Sequence, residues 1–169
     1  MVEECVRNKA VSGCFWVDPR YPHLLHTSEH GACVLAGHGV YYISGAYSVD
    51  KYYRLAYDLP WFEDEQLSVH EMNLAETYMN RIFKGIEEPI ILSHTCPKKY
   101  MPVDSFLPGI DQSTVDNTME EWLDRIEETS PYDRWYCGHY HVDRTQADGK
   151  LRLMYHDIVM LEQVDELPY

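Results

Sequence analysis

Between Val34 and Cys137, short apolar runs alternate with stretches of helical periodicity, and no other feature constrains the fold as much. Val34–Ala36 and Val40–Ser44 read as two short strands, separated by the turn signal Gly37-His38-Gly39. Ser68 followed by Glu71 has the spacing of a capping box. Beyond it, Met72, Ala75, Met79 and Ile82 recur on one helical face up to Phe83. Ile90-Ile91-Leu92 is too short for a helix and reads as a buried strand. A second helix is expected from near Ser113, its apolar face formed by Val115, Met119, Trp122 and Ile126. Asp116, Glu120 and Glu121 stand early in it, where the helix dipole favours negative charge. Arg134–Cys137 reads as a further strand, and Leu151–Tyr155 and Asp157–Leu161 as two more after a turn at Asp148-Gly149. Strands alternating with two helices imply a mixed α/β fold. Residues 1–32 read as an irregular segment with Gly13, Pro19 and Pro22, and no linker or repeat divides the 169 residues.

Two strand ends carry the residues suited to chemistry. Ile91-Leu92-Ser93-His94-Thr95-Cys96-Pro97 takes an apolar strand into a histidine and closes on a proline. Trp135-Tyr136-Cys137-Gly138-His139-Tyr140-His141 ends a second strand in G-H-x-H. Ligands collect at the C-terminal ends of strands in open α/β sheets, and neutral imidazole is the commonest nitrogen ligand of transition metals. In extended backbone His139 and His141 would project side by side, and Gly138 would leave room for a close approach. Asp50, Lys51 and Arg54 follow another strand end, where they suit either a phosphate or a surface ion pair. Lys98 and Lys99 stand close to His94 and read as an anion-attracting pair or a solvated loop. His23, His26 and His30 sit apart in the N-terminal segment.

These motifs resemble the calcineurin-like metallophosphoesterases. Leu92-Ser93-His94 is similar to the family's strand-end histidine, and Gly138-His139-Tyr140-His141 to its late G-H-x-H. Ser44-Gly45-Ala46-Tyr47-Ser48-Val49-Asp50-Lys51 with Arg54, the Trp61–Ser68 stretch with Asp64-Glu65-Gln66, Asp111-Gln112-Ser113 and the helix containing Trp122 resemble a bacterial and phage subgroup. The resemblance covers residues 33–162. It implies the C-terminal portion of a β-sandwich flanked by helices, in a single domain over residues 1–169. It further implies that His94 and His139 ligate one ion (Mn, Fe or Zn) of a two-metal phosphate-ester hydrolase, and that His141 ligates the other.

The family's earlier Asp-x-His, Gly-Asp-x-x-Asp and Gly-Asn-His-(Asp/Glu) motifs do not occur. The N-terminal β-α-β-α-β unit that carries them is therefore expected to be lacking. The metal site is then incomplete, and hydrolysis depends on ligands supplied from elsewhere. A sheet left uncovered in this way suits a homo-oligomer. The alternative is a catalytically inactive acidic protein that binds a protein partner, encoded by a phage or mobile element; a third is a mononuclear structural metal site.

The bulk numbers narrow the classes. A formal charge of −14, from 28 acidic against 14 basic residues, argues against direct nucleic-acid binding. The 14 tyrosines suit packing or a protein interface. No apolar run approaches a membrane span, and the acidic start lacks the pattern of a signal peptide, which reads as a cytoplasmic protein. Five scattered cysteines without C-x-x-C read as reduced thiols.

Overall fold

The computed structural model describes residues 1–7, 11–87, 89–109 and 112–161. The fold is mixed α/β: among the described residues nine strands form one sheet. Its centre is parallel and runs β5 (His38–Ile43), β6 (Ile90–Ser93), β7 (Arg134–Cys137) and β9 (Leu151–Leu153). Antiparallel strands extend both sides. β8 (Arg144–Gln146) pairs with β9. On the other side β4 (His30–Leu35) pairs with β5, β2 (Val11–Val17) with β4, and β1 (Val2–Arg7) and β3 (Leu25–His26) with β2.

Parallel neighbours need a crossover, and the two periodic helices supply it. α2 (Val69–Phe83) carries the chain from β5 to β6, and α3 (Thr118–Thr129) from β6 to β7. Both sides of the Ser68–Glu71 capping box form: Glu71 N–H donates to Ser68 Oγ (3.3 Å) and Ser68 N–H to Glu71 Oε2 (2.7 Å). Alternation along the strands sends Tyr41, Ile43, Ile91, Trp135, Cys137, Leu151 and Leu153 to one face. There they pack against Met72, Ala75, Met79 and Phe83 of α2 and Met119, Trp122, Leu123 and Ile126 of α3. Each large apolar side chain buried in this way contributes roughly 1.5–3 kcal/mol. The two buried indoles are also satisfied: Trp135 Nε1 donates to Ser93 Oγ (2.7 Å) and Trp122 Nε1 to Glu76 Oε2 (3.1 Å).

Several expectations change. The N-terminal segment is not irregular but holds β1 to β4. The β4–β5 turn lies at Ala36-Gly37 rather than at residues 37–39, with φ of 51° and 88° and Leu35 opposite His38. A two-residue loop with positive φ at both positions matches the twist of the strands it joins. α3 begins at Thr118, after Asp116 Oδ1 accepts from Thr118 N–H (2.9 Å), so Val115 stays in the preceding loop. A six-residue helix, α1 (Lys51–Ala56), follows β5 and has no buried residue. Residues 157–161 form no strand, and Ile158 and Met160 are exposed. Asp111 of the subgroup-like Asp111-Gln112-Ser113 lies outside the described residues, as does residue 162. Cys5 and Cys14 are not free thiols: they stand opposite each other in the β1–β2 ladder and form a disulfide. No helix among the described residues is long and apolar enough to cross a membrane.

Candidate metal centre

Two crossovers of the same sense bring the C-terminal ends of β6 and β7 to one edge of the sheet, and the histidines follow those ends directly. His94 N–H donates to Ile43 O (3.1 Å), and Gly138 N–H donates to His94 O (3.0 Å). The backbone of β5, β6 and β7 is therefore pinned around the histidines. His139 Nδ1 lies 3.2 Å from His94 Nε2, with the rings at 66° to each other.

His139 and His141 are not extended. Both adopt left-handed backbone, with φ of 68° and 52°, a conformation uncommon outside Gly although Asn, Asp and His enter it more readily than other residues. Two such residues within three positions concentrate strain at this strand end, as is common at functional sites. Gly138 is not forced by a close approach: a Cβ there would lie 3.7 Å from Met154 O and 3.9 Å from His94 O, ordinary contact distances.

Two anchors hold the strained turn. Tyr140, between the histidines, packs edge-on against His139 and stacks on Phe106, with ring centroids at 4.9 and 5.9 Å. Its hydroxyl lies 2.9 Å from Thr95 Oγ1, which donates to Glu120 Oε1 (2.7 Å). Glu120 is buried, and its Oε2 has no hydrogen-bond partner; burial raises its pKa above the ordinary carboxylate value. The second anchor is Asp143, which accepts from the N–H groups of Tyr155 (2.7 Å), His156 and Asp157 (3.1 Å each). Those bonds, that of Tyr155 first, lower its pKa. The loop so fixed stacks Tyr155 on the exposed His141 at 4.8 Å and 22°.

Glu120 and Asp143 were missed as site residues in the sequence. Glu120 reads there as a surface acid near a helix start. The only signal for Asp143 is an acidic residue two positions after G-H-x-H.

Burial lowers the His139 pKa to about 4, with His94 and His141 adding to the effect. Burial and then His141 also lower that of His94. The pair is accordingly neutral at pH 7, as ligand chemistry requires. Two nitrogens on a tetrahedral ion at Zn–N distances of about 2.0–2.1 Å stand roughly 3.3 Å apart, close to the separation here. At 3.2 Å the two rings are hydrogen-bonded to each other, and the same spacing would suit two corners of a coordination shell if an ion took the place of the shared proton. The pair does not complete such a shell, because among the described residues no set of three or more His, Cys, Asp or Glu side chains converges to hold an ion.

The other candidates are held in local ion pairs, hydrogen bonds or ring contacts. Asp50 accepts from Arg54 Nε (2.7 Å) and Ser48 Oγ (2.7 Å), and Arg54 also donates to Pro60 O. Lys51 Nζ sits 4.1 Å above the Trp61 ring. Lys98 and Lys99 pair with Glu121 and Glu127 at 2.6 Å each and tie their loop to α3. His30 Nδ1 lies 3.1 Å from Tyr41 OH and belongs to the sheet rather than to this edge. Beside the histidines opens a cavity of about 370 Å³, lined by Val49, Phe106, Leu107, Gln112, Thr114, Val115, His139, Tyr140 and His141. No family model, curated protein or solved structure matches the chain.

Proposed function

We infer that the chain provides the histidine half of a metal-dependent phosphoesterase centre of the calcineurin-like type. In this reading its sheet and two crossover helices correspond to the C-terminal portion of that fold. The observation that carries the reading is the 3.2 Å approach of His139 Nδ1 and His94 Nε2 at the ends of adjacent parallel strands. Both pKa values are lowered, which supports the role of neutral donors for a Zn, Mn or Fe ion.

When bound, such an ion supplies Lewis acidity and a metal-activated water. The chain's own part is to present His94 and His139 together, with His141 held by Tyr155. Among the described residues no carboxylate joins the pair, so in this reading hydrolysis of phosphate esters depends on ligands supplied from outside them. Lys51, Asp50 and Arg54 serve this reading as support for the loop after β5.

The test is metal uptake and turnover by the wild-type chain and a His139→Ala, His141→Ala double variant. Stoichiometric zinc bound by the wild type and lost in the variant is the expected result; equal uptake by both overturns the reading. Hydrolysis of an aryl phosphodiester with Mn, Fe or Zn separates a working enzyme from a half-site. Sedimentation adds the assembly: a monodisperse monomer that turns over substrate removes the need for a second copy.

The second reading, an acidic protein that binds a protein partner, is supported by α1, where Tyr52, Tyr53 and Leu55 are all exposed, with Tyr57 just beyond. Absence of turnover with every metal puts that reading ahead.

A further inference from the structure

The cavity beside the histidines has a chemistry of its own. At about 370 Å³ it falls in the range of small-molecule sites. Its walls are mainly apolar: Val49, Phe106, Leu107 and Val115, with the Tyr140 ring. Phe106 and Tyr140 lie near-parallel, 5.9 Å apart and 19° from coplanar, so one wall is aromatic. Leu107 and Val49 are 76% and 63% exposed, an arrangement that leaves apolar surface in water next to polar imidazoles. His139 and His141 also line it, with the Tyr140 ring packed against His139 at 4.9 Å.

The loop carrying Phe106 is held in place, not adrift. Arg144 donates to both Asp104 oxygens (2.6 and 2.9 Å) and to Ser105 Oγ (3.1 Å) immediately before it. On the far side, Tyr47 OH donates to Thr114 O (3.4 Å) beside Val115. An apolar cavity with an aromatic wall beside imidazole nitrogens suits a ligand with an aromatic group at one end, and an anionic group at the other only where an ion on the imidazoles receives it.

We propose that this cavity receives the aromatic group of the phosphate ester whose phosphate meets the histidines, which makes aryl-type esters the substrate class. This rests on the phosphoesterase reading for the phosphate end only. The ring end depends on the cavity alone. Burying a phenyl group on the Tyr140 wall strengthens binding by roughly tenfold or more over a methyl group.

The experiment titrates phenylphosphonate, methylphosphonate and benzyl alcohol into the full, methyl-labelled chain with Zn²⁺, followed by NMR. Val115→Trp fills the slot. Leu107→Asp, at an exposed rim position, is the second variant should the first fail to fold. The expected result is phenylphosphonate binding at least about tenfold tighter than methylphosphonate, with that preference abolished in either variant. Equal affinity for both phosphonates, or a preference unchanged in both variants, overturns the proposal. If neither phosphonate binds, the phosphate-end reading fails by itself, and benzyl alcohol then decides the ring end. Saturable shifts of the Val115 and Leu107 methyls in the wild type, with the Leu107 shift lost in Val115→Trp and the Val115 shift lost in Leu107→Asp, support it; no shifts overturn it.

Discussion

Acid should loosen this protein through His139, by an amount set by how the ring is held. The folded ring keeps a pKa of about 4, chiefly because it is buried, against 6.5 for an ordinary imidazole. Between those values the unfolded chain takes up a proton that the folded chain refuses. Stability is therefore fully present above pH 6.5 and falls as the pH drops toward 4. At roughly 1.4 kcal/mol per pH unit the gap sets a ceiling of roughly 3 kcal/mol. The ring is only partly buried, and solvent relaxation around the charged form brings the expected loss to about 1–2 kcal/mol. The perturbation is His139→Asn, which removes the titration and tolerates left-handed backbone. Urea unfolding of both proteins is followed at several pH values from 4 to 7.5, with a chelator present so that no ion competes with the proton. With a urea dependence of roughly 1–3 kcal/mol per molar, the wild-type midpoint should fall toward that of the variant by about 0.5–1 M. A constant difference between the two proteins across the whole range would refute the reasoning, since a ring that titrates normally in the folded state leaves no pH-dependent gap.

Other perturbations test other joints of the structure. Glu120→Gln should leave stability unchanged below about pH 4.5 and gain on the wild type as the pH rises, because burial raises the Glu120 pKa and the folded state then resists losing that proton; a pH-independent difference in thermal unfolding would show that the carboxyl is not strained by burial. Gly45→Ala places a Cβ 2.7 Å from Glu65 O at a φ of 89°, and denaturant titration should report at least about 2 kcal/mol of destabilisation. Met79→Ala empties a site that is 1% exposed, for an expected loss of about 2–5 kcal/mol by the same measurement. Asp143→Ala frees the loop that stacks Tyr155 on His141, and zinc affinity should drop by roughly tenfold or more, with a lower unfolding midpoint because three backbone N–H groups lose their acceptor; unchanged affinity in a competition titration would remove Asp143 from the site.

What could be read from the sequence was what the local pattern determines. α2 and its capping box lie where Ser68, Glu71 and the 72–75–79 spacing put them, and β7 spans Arg134–Cys137 as its apolar run indicates. The N-terminal strands were hidden because their pattern comes from their place in the sheet. β1 is an edge strand whose Glu3 and Glu4 face water, and β2 contains Gly13 between Cys33 and the Phe15 ring. The reverse error occurred at residues 157–161, where Ile158, Val159 and Met160 have strand propensity but no strand pairs with them. A strand is a pairing, and a pairing between distant segments is not written in either one.

The site divides along the same line, and its parts depend on one another. The places of His94 and His139 directly after β6 and β7 were legible because strand ends are legible. Their approach depends on two left-handed residues, which a reading of extended backbone cannot anticipate. Left-handed histidines persist only where their surroundings over-determine them, and the surroundings come from outside the motif. Glu120 reaches the turn from α3 through Thr95 and Tyr140, at the cost of a buried oxygen without a partner. Asp143 reaches it through Tyr155. Nothing in the helix-side core requires either arrangement: the core is apolar and would pack without a buried glutamate. A strained turn held at both ends by carboxylates, one of them buried at an energetic penalty, is what a fold retains for the sake of a particular geometry at His139 and His141. That cost stands beside the 3.2 Å approach of the two rings as a reason to read this strand end as a built site and not as two histidines that happen to meet.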